Sequence, residues 1–282
     1  MTHRYYFHSR NAMQIVDAIA KGMNSVRVSL DLNLSEKEWA IAGNSLVMDE
    51  ASSLETDQLI PVCSAGNKIF YYKSGELQPV EFRGDGYYKL VPTPTVPTLE
   101  INGIKMHRSK DIDPLTDARL KAGKVVRKGD IVLDTCGGLG YSALFAVKAG
   151  AKTVISIEKD NAVIFLRTLN PWTPGDRRID LIHADICRRI IQFNDQQFDS
   201  IIHDPPRFTS ATGDLYGKPF YHSLFRVLKL RGRLFHYTGS PKKIKEQDRF
   251  LKNTQKRLES AGFQRVGFHN RLQGFLAEKS EH

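Results

Sequence analysis

Residues 131–140 read Ile-Val-Leu-Asp-Thr-Cys-Gly-Gly-Leu-Gly, and this run constrains the fold more than any other part of the chain. Three apolar residues before an acidic one are typical of a buried parallel strand, here ending at Asp134. The following glycines let the backbone approach a ligand, and Tyr141 to Ala149 has a helical pattern. A strand, a glycine turn and a helix in this order form a nucleotide-sized pocket in α/β sheets. The sequence therefore predicts an α/β fold with a nucleotide-like ligand at this turn.

The residues around the glycines narrow the choice of ligand. A phosphate-binding loop has Gly-Lys-Ser/Thr at its end, and no Lys follows the glycines here, so a triphosphate is not expected. Gly138 and Gly140 match the start of the dinucleotide motif Gly-x-Gly-x-x-Gly, and Ala143 occupies its third glycine position, where alanine is tolerated. On this motif alone, a dinucleotide site stays open.

Three further strand-like runs are each followed closely by a carboxylate. They are residues 153–157 before Glu158, 179–182 before Asp185, and 198–202 before Asp204. A carboxylate at the end of the second strand accepts hydrogen bonds from ribose hydroxyls, in nicotinamide and S-adenosylmethionine sites alike. A nicotinamide site and an S-adenosylmethionine site are distinguished by the residues that follow the third and fourth strands. These residues are His183-Ala-Asp185 and His203-Asp204-Pro205-Pro206.

With these four strand ends, residues 109–278 resemble the class I S-adenosylmethionine-dependent methyltransferases. The resemblance implies a Rossmann-like seven-stranded methyltransferase sheet and S-adenosyl-L-methionine as the cofactor. It places the methionine part beside Asp134 and the glycine turn, the ribose at Glu158 and the adenine amino group at Asp185. The implied cofactor-binding residues are Asp134, Cys136, Gly138, Gly140, Tyr141, Glu158 and Asp185.

Cys136 replaces the first glycine of the family's usual Asp-x-Gly-x-Gly-x-Gly. A small thiol fits there if the backbone φ is negative. The run from Leu133 to Tyr141 looks most like that of a group of predicted archaeal methyltransferases.

By the same resemblance, Asp204-Pro205-Pro206 is where the methyl acceptor docks, and these three are the predicted catalytic residues. The motif suits an exocyclic amine, because the prolines rigidify the turn and carboxylate or carbonyl oxygens can accept from the amino group. Amino-methyltransferases usually have an aromatic residue fourth, whereas Arg207 is fourth here and Phe208 fifth. The candidate substrate-binding residues are Arg207, Phe208, Tyr216 and Tyr221. The two tyrosines are equally open to a packing role, and His203 is expected to be a core histidine.

Three alternatives remain beside methylation of a base nitrogen. Asp-Pro-Pro-Arg also resembles RNA 5-methyluridine methyltransferases, but their nucleophilic cysteine after the fifth strand is absent from Tyr237-Thr-Gly-Ser-Pro241. The segment from Asp214 to Tyr221 resembles polyamine aminopropyltransferases, which use decarboxylated S-adenosylmethionine and an acidic pocket that the basic excess here does not match. A methyltransferase-like protein that binds RNA without catalysis is the third.

Charge favours RNA as the partner. Residues 1–98 hold nine Lys and Arg against eleven Asp and Glu, whereas residues 99–282 hold 32 against 20. The basic excess therefore lies in the second part, with pairs at 177–178, 188–189 and 242–243. Such a field attracts a polyanion through counterion release, although solvated helix faces would give the same composition.

The expected domains are a small, mainly β domain at 1–91, a Pro-rich linker and hairpin at 92–108, and the catalytic domain at 109–282. Asn102-Gly103 is the hairpin signal. Neither a signal peptide nor an apolar run of membrane length is present, which predicts a cytoplasmic protein. The three cysteines and nine histidines lack ligand spacing, so no metal site is expected.

Overall fold

The apolar runs from residue 131 onward form a seven-stranded sheet. The computed structural model describes residues 4–109, 111–173, 175–239 and 244–280, with the backbone alone for 244–248. Its strands are β12 (Ile131–Asp134), β13 (Thr153–Glu158), β14 (Ile179–His183), β15 (Phe198–His203), β16 (Leu228–Tyr237), β17 (Gln264–His269) and β18 (Gly274–Glu278). Their order is β14-β13-β12-β15-β16-β18-β17. The first five strands in this order are parallel to their neighbours. Strand β18 pairs antiparallel with both β16 and β17. This confirms the predicted Rossmann-like sheet.

Helices precede and follow the strands, and a hydrophobic core lies on each face of the sheet. They are α3 (Pro114–Val125), α4 (Tyr141–Lys148), α5 (Asn161–Thr168), α6 (Ile186–Arg189), α7 (Lys218–Val227) and α8 (Ile244–Ser260). Alternate residues of β12 enter different cores, with Leu133 in one and Val132 in the other. A parallel sheet buried on both faces needs such continuous apolar runs, which is why its strands were readable from the sequence.

The first part of the chain is mostly antiparallel β structure. Its strands are β1 (Tyr6–His8), β2 (Ser25–Val28), β3 (Lys37–Ala42), β4 (Ser45–Asp49), β5 (Ser52–Glu55), β6 (Ile69–Lys73), β7 (Glu76–Pro79), β8 (Glu81–Arg83), β9 (Tyr87–Val91), β10 (Thr98–Ile101) and β11 (Ile104–Lys105). They form three small sheets, with helices α1 (Ser9–Ala20) and α2 (Thr56–Cys63). A core that includes Phe7, Ile15, Leu46 and Leu54 holds this part together.

The chain divides into two compact units, and the expected domain bounds stay a prediction. The first unit is Met1–Pro114 with Phe165–Pro174, and the second is Leu115–Ile164 with Gly175–His282. Strands β9 and β10 flank the Pro-rich segment and pair with each other, so this segment connects two strands of one sheet. The Asn102-Gly103 hairpin is present, with both residues at positive φ. In the described residues, no helix is long and apolar enough to cross a membrane.

Candidate active site

The carboxyl ends of β12 and β15 lie side by side at the centre of the sheet. After β12 the chain continues to β13 and β14 on one side, and it then crosses to β15 on the other. Such a reversal leaves a crevice outside the carboxyl ends of the two central strands, where ligands bind in open α/β sheets. Asp134 is the last residue of β12, and Asp204 directly follows β15. The structure therefore brings the first and fourth predicted carboxylates to one place.

The turn after Asp134 is held by backbone hydrogen bonds from both neighbouring strands. Thr135 N–H donates to the Ile202 carbonyl at 3.1 Å, and Gly137 N–H donates to the Ile157 carbonyl at 2.7 Å. Positive φ angles fall on Gly138 (+49°) and Gly140 (+89°), whereas Cys136 is outside the left-handed region. Cysteine at the position of the missing glycine is therefore free of backbone strain.

Open space borders the glycine turn, as a bound cofactor requires. A side chain built on Gly138 would have no atom within 4 Å of its Cβ, while φ there disfavours any residue but glycine. Helix α4 begins directly after Gly140. The thiol of Cys136 stays protonated, because burial and the nearby Glu158 raise its pKa well above the ordinary value.

Glu158 connects the end of β13 to the glycine turn. Its carboxylate accepts from Gly138 N–H at 2.8 Å and from Asp160 N–H at 2.9 Å. Burial raises the pKa of Glu158 against the opposing effect of these two donors. Two carboxylate oxygens offer about four acceptor positions, so the side chain keeps capacity for ligand hydroxyls.

Asp134 is fully buried and accepts a hydrogen bond from Ser156 Oγ at 2.8 Å, which braces β12 against β13. Tyr141, the first residue of α4, is also buried. Both residues are therefore placed to stabilise the glycine turn from within the protein interior.

Asp185 has two partners within the protein. It caps α6 by accepting from Cys187 N–H at 2.9 Å, and it forms an ion pair with the exposed Lys159 at 2.9 Å. Burial opposes ionisation of this carboxyl, but Lys159 and the Cys187 N–H outweigh it and lower its pKa. Asp185 is thus the N-cap of α6, and a role toward adenine stays a prediction.

The Asp204-Pro-Pro turn is fixed from two sides. Lys121 Nζ lies 2.7 Å from Asp204 Oδ2, and the hydroxyl of Tyr216 donates to the Pro206 carbonyl at 2.8 Å. Pro205 is buried, whereas Pro206 and Arg207 are exposed.

Phe208 is 51% exposed beside this turn. Its ring centroid lies 5.4 Å from those of Tyr216 and Phe250. Of the four candidate substrate-binding residues, Arg207 and Phe208 offer accessible surface. Tyr216 and Tyr221 are fully buried, and the Tyr221 hydroxyl lies 2.7 Å from His236 Nε2. Their environment is that of packing residues.

His203 is a core histidine, as expected. Its Nδ1 lies 2.7 Å from Thr135 Oγ1, and its Nε2 donates to the Leu215 carbonyl at 2.9 Å. Burial lowers its pKa to about 4, so the ring is neutral.

Sequence reasoning missed the buried Lys121 and its second partner, Asp117, at 2.6 Å. The two residues are four apart on α3, a spacing that places them on one helix face and that could have marked them as a pair. Nothing local indicated that Lys121 would also reach Asp204. In the described residues, no group of three or more His, Cys, Asp or Glu side chains converges as a metal site.

The chain is similar to several known proteins. An uncharacterised protein of Methanocaldococcus jannaschii, MJ1233, is 40% identical over 281 residues, which cover 97% of this chain and 95% of that protein. Ribosomal RNA large subunit methyltransferase I of Vibrio vulnificus is 28% identical over 162 residues, or 50% of this chain. The match spans only 40% of the length of that enzyme.

Among solved structures, a spermidine synthase from Thermotoga maritima has a TM-score of 0.56 at 19% identity, covering 72% of each chain, and this likeness concerns the fold. No protein-family model matches. The near full-length relationship to the archaeal protein shows that the chain belongs to the family of MJ1233, and its sheet order is that of a Rossmann-like fold.

Proposed function

We propose that this protein transfers a methyl group from S-adenosyl-L-methionine to a nitrogen of an RNA base, with an exocyclic amine favoured. The observation that carries the proposal is the Asp204-Pro-Pro turn, which lies at the centre of the sheet beside the glycine turn and next to the exposed ring of Phe208. A cofactor at the first turn and a base at the second would meet at the carboxyl ends of neighbouring strands.

In this proposal the cofactor lies along the ends of β12, β13 and β14. The open space at Gly138 receives the methionine part, and Glu158 accepts from the ribose hydroxyls. Asp185 accepts from the adenine amino group after the exposed Lys159 moves aside. Asp134 and Tyr141 are buried, so their part is to support the turn.

When bound, the cofactor supplies a sulfonium methyl group that is already activated. The chain itself has to align the acceptor and take up its proton. Asp204 Oδ2 and the Pro206 carbonyl are already engaged by Lys121 and Tyr216. Asp204 Oδ1 and the nearby backbone carbonyls are therefore the proposed acceptors for the amino group. Phe208 is the proposed stacking surface for a base that is unpaired or flipped out.

The thiols of this chain do not suit a covalent route to a pyrimidine carbon. All three cysteines are free, and burial is the largest cause that raises the pKa of each. The pKa of Cys187 rises to about 11, and that of Cys136 rises well above its ordinary value. A protonated thiol is a poor nucleophile, which favours a nitrogen acceptor that reacts directly.

RNA as the acceptor is supported by charge and by one kind of relative. The chain carries a net charge of +10, and the excess lies in its second part. Arg178 is paired with Asp176, whereas Arg177 and Arg188 are exposed. The pair at 242–243 lies outside the described residues. The Vibrio relatives are ribosomal RNA methyltransferases. We accordingly propose that the protein acts on RNA in the cytoplasm.

An aminopropyltransferase-like activity is the second candidate, because spermidine synthases share the fold. The segment from Asp214 to Tyr221 that suggested it contains two fully buried tyrosines, and the basic excess does not suit a polyamine. A protein that only binds RNA is the third candidate.

The test is transfer of labelled methyl from S-adenosylmethionine to total RNA, beside protein and polyamine acceptors. We expect label in RNA, and we expect Asp204→Asn to reduce the rate by about 100-fold, as loss of a positioned proton acceptor does. Asp180→Asn is the matched control, since Asp180 is an exposed carboxylate within β14. Label passing from decarboxylated cofactor to putrescine would replace the proposal with the second candidate. RNA binding without transfer would support the third.

A further inference from the structure

Lys121 lies between two carboxylates beneath the Asp204-Pro-Pro turn. Its Nζ is 2.6 Å from Asp117 Oδ2 and 2.7 Å from Asp204 Oδ2. The side chains of Lys121 and Asp117 are 4% and 7% exposed, whereas that of Asp204 is 24% exposed. The cluster therefore extends from the buried side chains of α3 to the partly exposed edge of the proposed acceptor site.

Aromatic rings complete the surroundings of the ammonium group. Lys121 Nζ lies 4.4 Å from the ring centroid of Tyr237 and 5.7 Å from that of Phe235. Burial alone would lower the pKa of Lys121, but Asp204 and Asp117 outweigh it and raise that pKa. The ammonium of Lys121 therefore stays charged between its two carboxylate partners.

A buried ion cluster of this kind is seldom needed for stability alone. Replacing such groups with apolar side chains of similar volume is often neutral or stabilising, because taking charges out of water is costly. The cluster also has a direction, since Asp117 and Lys121 are anchored on α3 and Asp204 is the one member at the site. These facts favour a role for the cluster in holding Asp204.

We propose that Lys121 is a positioning residue for methyl transfer, which fixes one oxygen of Asp204 while its other oxygen receives the acceptor. This inference rests on the proposed function. Asp117 completes the arrangement by holding Lys121 and balancing its charge. Without the ammonium, two carboxylates would lie side by side, and one of them would hold a proton to higher pH.

The test compares Lys121→Met, Lys121→Arg and the double variant Asp117→Asn/Lys121→Met. For Lys121→Met we expect kcat for RNA methylation to fall between about 10- and 100-fold, as misplacement of a catalytic group does, with KM for S-adenosylmethionine unchanged. The acid limb of the kcat profile should move to higher pH. In Lys121→Arg the acid limb should lie at its wild-type pH. In the double variant the acid limb should also return toward that pH, because only one carboxylate remains.

A second measurement does not depend on the acceptor. The carboxyl ¹³C signal of Asp204, assigned through Asp204→Asn, is titrated in the wild type and in Lys121→Met, with the urea midpoint of each variant as the folding check. We expect its titration midpoint to rise in Lys121→Met and to return in the double variant.

The outcomes separate this inference from the proposed function. If wild-type protein methylates no RNA while the titration shifts as expected, the acceptor is wrong and Lys121 still controls Asp204. If the titration and the acid limb stay in place in Lys121→Met, the positioning role is overturned, whether or not activity falls. A loss of activity that only follows the loss of folded protein would also overturn it.

Discussion

Tyr216 is a buried residue that shapes an exposed site. Its hydroxyl donates to the Pro206 carbonyl at 2.8 Å, and its ring lies edge-on to Phe208, with 5.4 Å between the centroids. Both the turn and the proposed stacking surface therefore depend on one side chain. Tyr221 is its natural counterpart, because it is equally buried and its hydroxyl bonds to His236, a core residue.

We expect Tyr216→Phe to lower the free energy of unfolding by about 1 kcal/mol and to reduce RNA methylation by a larger factor. Tyr221→Phe removes a comparable hydrogen bond and should cost similar stability with little loss of activity. Urea unfolding and the methyl-transfer rate measure the two effects. Equal loss of activity in both variants would show that Tyr216 acts through stability alone.

At this scale, the sequence predicts strand-end residues better than partners brought together by the fold. Asp134 and Asp204 were predictable because each follows an apolar run that had to be a buried strand. Lys121 was not, because its contact with Asp204 joins residues 83 positions apart. Tyr216 is a predicted substrate-binding residue, but the direction of its side chain depends on the helical turn at Ser210–Tyr216. No apolar periodicity in the sequence indicates this turn.

Among the elements, the neighbouring strands β15 and β16 contain a pair of histidines that should make stability depend on pH. Their register pairs His203 with His236, and the two imidazole centroids lie 4.5 Å apart in the core. Burial lowers the pKa of His203 to about 4 and that of His236 well below its ordinary value. Neither ring can take up a proton in the folded protein near neutral pH, whereas both can once the chain unfolds.

Stability should therefore fall as the pH drops from about 6.5 toward 4, because the unfolded state binds more protons in this range. For His203 alone, whose folded pKa is about 4, the loss between pH 7 and pH 5 is on the order of 2 kcal/mol. Urea midpoints at the two pH values measure it. Glutamine cannot be protonated, so His203→Gln should weaken the dependence of stability on pH. If stability changes equally with pH in this variant, other groups cause the change.

Element prediction succeeded for buried parallel strands and failed where loops interrupt a pattern. Val26 to Leu34 alternates without a break, which predicts one strand. The structure ends β2 at Val28, and Leu32 and Asn33 take positive φ angles in the turn that follows. Alternation records which residues are buried, and a turn can bury Leu30 and Leu32 as a strand does. Ser240-Pro241 predicts the start of a long helix, and these two residues lie outside the described residues.

Over the whole molecule, the uneven charge predicts how RNA binding depends on salt. If about four phosphates are contacted, affinity for single-stranded RNA should fall roughly 50-fold between 50 and 200 mM salt. Arg188→Gln should reduce the slope of log affinity against log salt by about 0.7 if this residue meets a phosphate. Lys21→Gln, the same charge change in the first unit, should leave the slope unchanged. Fluorescence anisotropy with labelled RNA measures both slopes, and a salt-independent affinity would contradict the electrostatic interpretation.

The first unit also has a consequence for how the protein is made. Its segment Phe165–Pro174 is encoded about fifty residues after Pro114. Within this unit, the Tyr6 hydroxyl donates to the Leu169 carbonyl at 2.7 Å, and the Trp172 indole donates to the Leu32 carbonyl at 2.7 Å. At about 5 to 20 residues per second, a ribosome needs roughly 3 to 10 seconds to supply these partners. The first unit therefore lacks these two hydrogen-bond partners until residues 165–174 have been translated, shortly before β14.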